Sequence, residues 1–252
     1  MMEKYFLVLI ISLGLFISNI SCKYISNKFL GMKASQNIEY RYEKLNSIHL
    51  KNYLHNLNLY IIDTREFEVS NQGYIENSII MPITFSYSTW FPAIIEEDAN
   101  VVLICDEENY INALEQTEAL GPYKIFGYAI YNELIEENKL KIIKAEYNEN
   151  TKEDVEKLVE KDEYMIDLRE VSEFKETGVI KEAHLMPLSN FRNDYINLPK
   201  NLDIYVYCKL GKRALIGMTY AQRAGYSNRF VIMRGGMNKT ISEGYPLVAY
   251  TE

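Results

Sequence analysis

The stretch Ile204-Tyr205-Val206-Tyr207-Cys208-Lys209-Leu210-Gly211-Lys212-Arg213-Ala214-Leu215-Ile216-Gly217-Met218-Thr219-Tyr220-Ala221 decides how the chain is read. Its first four residues are a short apolar run, the pattern of a buried strand. Residues 214–221 predict a helix, closed near Gly225. The six residues between them form a strand-to-helix turn with a cysteine at its start and an arginine at its end. Backbone N–H groups of such a turn and of the first helical turn converge into an anion cradle. A thiol placed there feels those dipoles together with Arg213, Lys209 and Lys212, all of which favour the thiolate. Gly211 lets the loop curl where a side chain would clash. The competing reading is a small buried hydrophobe, the usual state of a cysteine at a strand end. The glycine and the three cations favour the nucleophile.

With 252 residues the chain has room for one large or two modest domains. A hydrophobic content of 48% and a charged content of 25% belong to an ordinary globular protein. A net charge of -8 argues against nucleic acid as a partner. Cys22, Cys105 and Cys208 are too scattered for a disulfide framework, and His49, His55 and His184 lack metal-ligand spacing. No metal and no cofactor is expected.

Residues 1–22 differ from the rest. The apolar run from Tyr5 to Ile17 is short for a membrane span and has the length of a signal-peptide core. It leads to Ser21-Cys22, the pattern of a lipoprotein cleavage site, although Asn19 stands where leucine is usual. The expectation is export to the periplasm or cell envelope, with lipid on Cys22 as the membrane anchor, or else ordinary cleavage or an uncleaved anchor. Residues 23–45 are polar and without periodicity, and read as a tether.

The body shows one pattern twice. In the first copy a helix around 50–57 precedes the strand Leu59-Tyr60-Ile61-Ile62, which ends in Asp63-Thr64-Arg65; a segment from Gly73 to Pro82 and a strand ending in Cys105 follow. In the second, a helix capped by Thr151 precedes Tyr164-Met165-Ile166, which ends in Asp167-Leu168-Arg169; a segment from Gly178 to Pro187 and the strand ending in Cys208 follow. Asp63 and Asp167 are 104 residues apart, Pro82 and Pro187 105, and Cys105 and Cys208 103. A period that long is domain-sized. The fold class expected is α/β: two tandem domains, 46–147 and 148–252, each with a mainly parallel sheet flanked by helices.

The order Asp-x-Arg, a glycine-led segment ending in proline, Cys208-x-x-Gly211-x-Arg213, then Met233-Arg234-Gly235-Gly236 resembles the rhodanese (sulfurtransferase) family. The resemblance runs from about residue 46 to the end of the chain and is most specific in the second copy. It implies catalysis by Cys208 and Arg213, with Lys209, Leu210, Gly211 and Lys212 around the substrate. It implies thiosulfate or a related sulfane-sulfur donor, a persulfide on Cys208, and a thiol or cyanide acceptor, including a thioredoxin-like protein.

The first copy's loop, Cys105-Asp106-Glu107-Glu108-Asn109-Tyr110, has three carboxylates, no glycine and tyrosine in place of arginine. Carboxylates disfavour a thiolate and repel an anionic donor, so the first domain is expected to be inactive. Asp63–Arg65 and Asp167–Arg169 occur in both copies and read as structural ion pairs. His184 reads as non-catalytic, Gly235-Gly236 as a tight turn behind the loop, and Trp90 as an exposed loop aromatic. Three other readings use the same residues: a non-catalytic binding or scaffold protein, a cysteine phosphatase, and transfer from 3-mercaptopyruvate. Only four residues separate Cys208 from Arg213, where phosphatases typically have five.

Overall fold

The computed structural model describes residues 41–251. They contain a small antiparallel pair, β3 (Tyr74–Ile75) with β7 (Ile142–Ile143), and two five-stranded sheets with the same strand arrangement; all strand pairs within the two larger sheets are parallel. In the first sheet, strands β1 (Glu43–Lys44), β6 (Lys124–Ile130), β5 (Asn100–Cys105), β2 (Leu59–Asp63) and β4 (Ile79–Ile80) lie side by side in that order. In the second, β8 (Glu146–Asn148), β12 (Phe230–Met233), β11 (Ile204–Tyr207), β9 (Tyr164–Asp167) and β10 (His184–Leu185) repeat it. The expected tandem α/β architecture is present, and the duplication read from the sequence reappears as an identical strand order.

Parallel strands need crossovers, and helices supply them. The first half carries α1 (Ser47–Tyr53), α2 (Phe67–Ser70), α3 (Tyr87–Ile94), α4 (Tyr110–Ala119) and α5 (Tyr131–Glu136). The second carries α6 (Lys152–Glu160), α7 (Val171–Thr177), α8 (Phe191–Asp194), α9 (Lys212–Arg223) and α10 (Gly236–Ser242). Helices on both faces explain why the central strands are continuous apolar runs rather than alternating ones: Val101 to Cys105 are all fully buried. Leu50, Leu59, Ile61, Val102 and Leu134 pack into one core; Val155, Met165, Tyr207, Met233 and Met237 form another. Helix α6 starts on a complete capping box between Thr151 and Asp154.

Both domain edges differ slightly from the expected ones. The folded chain begins before the end of the expected tether at residue 45: Glu43 and Lys44 pair with Gly127 and Tyr128, and Leu45 is buried. The second domain was expected to begin at 148, yet Glu146 and Tyr147 already pair with Val231 and Ile232. Edge strands of two or three residues are too short to show a period of two in sequence. The expected signal segment, Cys22 and the rest of the tether up to residue 40 lie outside the described residues. Among the described residues, no helix is long and apolar enough to cross a membrane.

The two halves belong to one compact unit from Tyr42 onward. Helix α9 joins them: every residue from Arg213 to Ala221 is buried. It packs against β4, the edge of the first sheet. The Ile80 N–H, free at that edge, donates to Thr219 Oγ1 at 3.1 Å. The Tyr74 hydroxyl donates to Gln222 Oε1 at 2.9 Å, and Arg223 donates to the carbonyls of Leu57 and Leu59 at 2.9 and 2.8 Å.

Candidate active site

Strand β11 ends at Tyr207, and Cys208 follows it at the C-terminal edge of the second sheet, where open α/β sheets bind ligands. Gly211 is the N-cap of α9 and takes φ +91°, the left-handed conformation expected of it. That bend aims the Gly211 N–H at Cys208 Sγ, 3.2 Å away. The outer side of the loop is fixed by α10. The N–H groups of Met237 and Asn238 donate to the carbonyls of Cys208 and Lys209 at 2.8 and 3.1 Å. Gly235 and Gly236 form the tight turn anticipated behind the loop, with φ +73° and +56°. A β-carbon on Gly236 would stand 2.1 Å from the Cys208 carbonyl oxygen, so no other residue fits there.

The three cations of the loop have three different settings. Arg213 is 7% exposed and makes a two-pronged salt bridge to Glu173 of α7, at 2.6 and 2.7 Å. Burial opposes its charge, but the hydrogen bond to Glu173 and the charges of Cys208 and Glu173 outweigh burial, and the guanidinium pKa is raised. Burial likewise works against the Glu173 carboxylate; Arg213 outweighs it, aided by the Glu170 N–H, and keeps Glu173 below the usual carboxylate range. Lys212 turns to the first half: Nζ lies 3.4 Å from Glu68 Oε1 and above the rings of Phe67 and Phe85. Lys209 is exposed, as is Leu210. A cavity of about 120 Å³ beside the loop is lined by Leu210, Gly211, Lys212, Phe67 and Arg234, among others. Lys209 lies on the other side, in a crevice of about 10 Å³ with Arg169 and Glu173. Cys208 itself is 1% exposed.

Trp90 does not sit in the exposed loop expected for it. It belongs to α3, is 9% exposed, and its ring centroid lies 5.6 Å from Arg213 Cζ. Glu173 and Trp90 were not identified as site residues from sequence. Glu173 carried one local signal, its place three residues after Glu170 as the far end of a capping box. Trp90 carried none, because its partner lies in the other half of the chain.

The two Asp-x-Arg pairs are structural. Arg169 holds Asp167 at 2.9 and 2.7 Å and donates to the Gly178 carbonyl at 2.9 Å. Arg65 holds Asp63 at 2.9 and 2.7 Å and donates to the Gly73 carbonyl at 2.8 Å. His184 is exposed and stacks on Tyr164 at 4.0 Å. Cys105 ends β5 as Cys208 follows β11, but it is fully buried and accepts a hydrogen bond from the Thr64 hydroxyl at 3.4 Å. Among the described residues, no cluster of histidine, cysteine or acidic side chains could hold a metal ion.

A tandem parallel α/β fold, with a cysteine and an arginine bounding the strand-to-helix loop at a sheet's C-terminal edge, defines the structural class of the chain. The comparisons with known proteins narrow it. Residues 151–243 match the model of the rhodanese-like domain. A sulfurtransferase of Allochromatium vinosum is 30% identical over 88 residues, which span 35% of this chain and 80% of that protein. Among solved structures, a rhodanese-related protein from Thermoplasma volcanium is 26% identical and is covered in full by 41% of this chain, with a TM-score of 0.36. A thiosulfate sulfurtransferase from Pseudomonas aeruginosa is 16% identical; the match covers 82% of this chain and 44% of that one, with a TM-score of 0.36. The chain belongs to the rhodanese family.

Proposed function

We propose that the protein is a sulfurtransferase in which Cys208 carries a sulfane sulfur as a persulfide. The observation that carries this reading is the Gly211 N–H directed at Cys208 Sγ from the N-terminus of α9. That first turn holds Lys212 and Arg213 and no acidic residue. Cations at a helix N-terminus are unfavourable on their own. An anionic sulfur in the loop reverses that, because it meets the amide, the helix dipole and the guanidinium together.

The Cys208 thiolate attacks the outer sulfur of thiosulfate. A new S–S bond forms as the S–S bond of the donor breaks, and sulfite leaves with the electron pair. The negative charge now rests on the terminal persulfide sulfur. An acceptor thiolate attacks that sulfur, takes it as its own persulfide, and returns Cys208 to the thiolate. The Gly211 N–H serves the sulfur charge as an oxyanion-hole donor would. Because Cys208 is 1% exposed, the donor must be small or present a terminal sulfur. The same exposure supports a second reading, a non-catalytic binding module. We further propose export, with Cys22 lipidated as the membrane anchor and the catalytic half at the cell envelope.

The test is incubation of the whole protein with thiosulfate, followed by mass spectrometry of the Cys208 peptide and a sulfite assay. The expected result is a gain of one sulfur atom on Cys208, removed by cyanide or a thiol, and absent in Cys208→Ser. No gain in the wild type, or transfer that survives Cys208→Ser, would overturn the reading. Membrane fractionation and the mass of the processed N-terminus test the anchor.

A further inference from the structure

We propose that Trp90, in the first half of the chain, is a positioning residue for the active loop of the second half, acting through Arg213. The inference rests on the reading of Cys208 as the sulfur carrier. Arg213 is the second residue of α9 and ends the loop that begins at Cys208. Glu173 fixes the two terminal nitrogens of its guanidinium. A salt bridge to one carboxylate still lets that plane swing about the carboxylate axis. The indole of Trp90 lies within cation–π range of Cζ, at 5.6 Å. Both partners are largely withdrawn from water, Arg213 at 7% and Trp90 at 9% exposure, and the attraction is strongest under that condition.

The helix that carries the indole is anchored beside it, while the indole Nε1–H is buried with no hydrogen-bond partner among the described residues. Its neighbour Phe91 is fully buried and packs on the rings of Tyr87 and Tyr123, with centroids 5.0 and 4.7 Å apart. Helix α3 also packs against α8 of the second half. The adjacent loop residue is clamped from the same side, with Lys212 above Phe67 and Phe85 and near Glu68. The half without a working loop therefore supplies one wall of the working one.

Trp90 is the only tryptophan of the chain, so its emission reports the contact without any ligand. Arg213→Met is expected to shift that emission. Thiosulfate turnover by the whole protein then reads the role. Trp90→Leu is expected to lower kcat about tenfold with little change in KM, whereas Trp90→Phe, which keeps an aromatic face, stays within about threefold of wild type. In an Arg213→Met background, Trp90→Leu is expected to cost less than about twofold, because both changes break one contact. Equal losses for Leu and Phe, or a full tenfold loss in the Arg213→Met background, would overturn the proposal. Alkylation of Cys208 by iodoacetamide gives the same cycle without a sulfur donor. If the wild type takes no sulfur from thiosulfate, the functional reading fails, and the alkylation cycle still decides whether Trp90 acts through Arg213.

Discussion

Cys105 and Cys208 stand at the C-terminal ends of β5 and β11, strands with the same place in their sheets. From the sequence, the carboxylates of the first loop would be what disarms Cys105. The larger cause is burial, which pushes its thiol up to about 12; the Thr64 hydrogen bond works the other way, and Asp63 and Asp106 add smaller upward pushes. Such a thiol stays protonated near neutral pH and is a poor nucleophile. A folded-state value above the unfolded one means the folded protein holds the proton more tightly. The stabilisation is complete below the ordinary thiol value of 9.0 and is lost as pH rises toward about 12. Cys105→Ala should therefore flatten the fall of stability between pH 9 and 11, measured by urea unfolding at each pH. A fall as steep as in the wild type would show that Cys105 is not buried as described. At this scale the sequence was most legible within the loop: Cys208, Gly211 and Arg213 are neighbours and their chemistry is local. Glu173 and Trp90 were not legible, because each meets Arg213 only after the chain has folded across a sheet or a domain boundary.

Elements were legible where an apolar run stood out between polar flanks, as in β5, β11 and residues 214–218 of α9. They were least legible at β1 and β8, where pairing rather than pattern makes the strand. The repeated Asp-x-Arg followed by glycine shows how one local unit is built twice. The arginine neutralises the buried aspartate at the strand end and ties down the carbonyl of a glycine after the next helix. That spacing was visible in sequence, but the carbonyl contact was not. Between α10 and the loop the tolerance is smaller still. Gly236 has φ +56° and no space for a β-carbon against the Cys208 carbonyl. Gly236→Ala should cost at least the ~1–2 kcal/mol of a left-handed alanine, with the overlap in addition. It should also displace the loop enough to abolish sulfur loading of Cys208. Denaturant unfolding together with the mass of the Cys208 peptide checks both effects. Retention of normal loading would mean that α10 does not set the loop.

At the scale of the whole molecule, the duplicated sheets argue for two independent folding units, and α9 argues against it. A helix of one domain normally buries one stripe and leaves the other to water. Residues 213–221 of α9 are buried on all sides, because their own sheet covers one face and β4 of the first sheet covers another. The seam also holds polar groups: Ile80 N–H on Thr219, Tyr74 on Gln222, and Arg223 on two backbone carbonyls and above the Tyr60 ring at 4.0 Å. Unfolding either half would expose apolar α9 surface and break these hydrogen bonds. Residues 42–251 should therefore unfold in a single transition, with amide exchange in β5 and β11 reporting the same opening free energy. Arg223→Ala removes the contacts to Leu57, Leu59 and Tyr60 without touching the Cys208 loop. It should lower the cost of separating the halves by about 1–3 kcal/mol, as loss of charged hydrogen bonds to backbone acceptors does. Exchange in β5 and β11 should then diverge. Two separate transitions already present in the wild type would mean that the halves merely touch, and that the first half has no hold on the Cys208 loop.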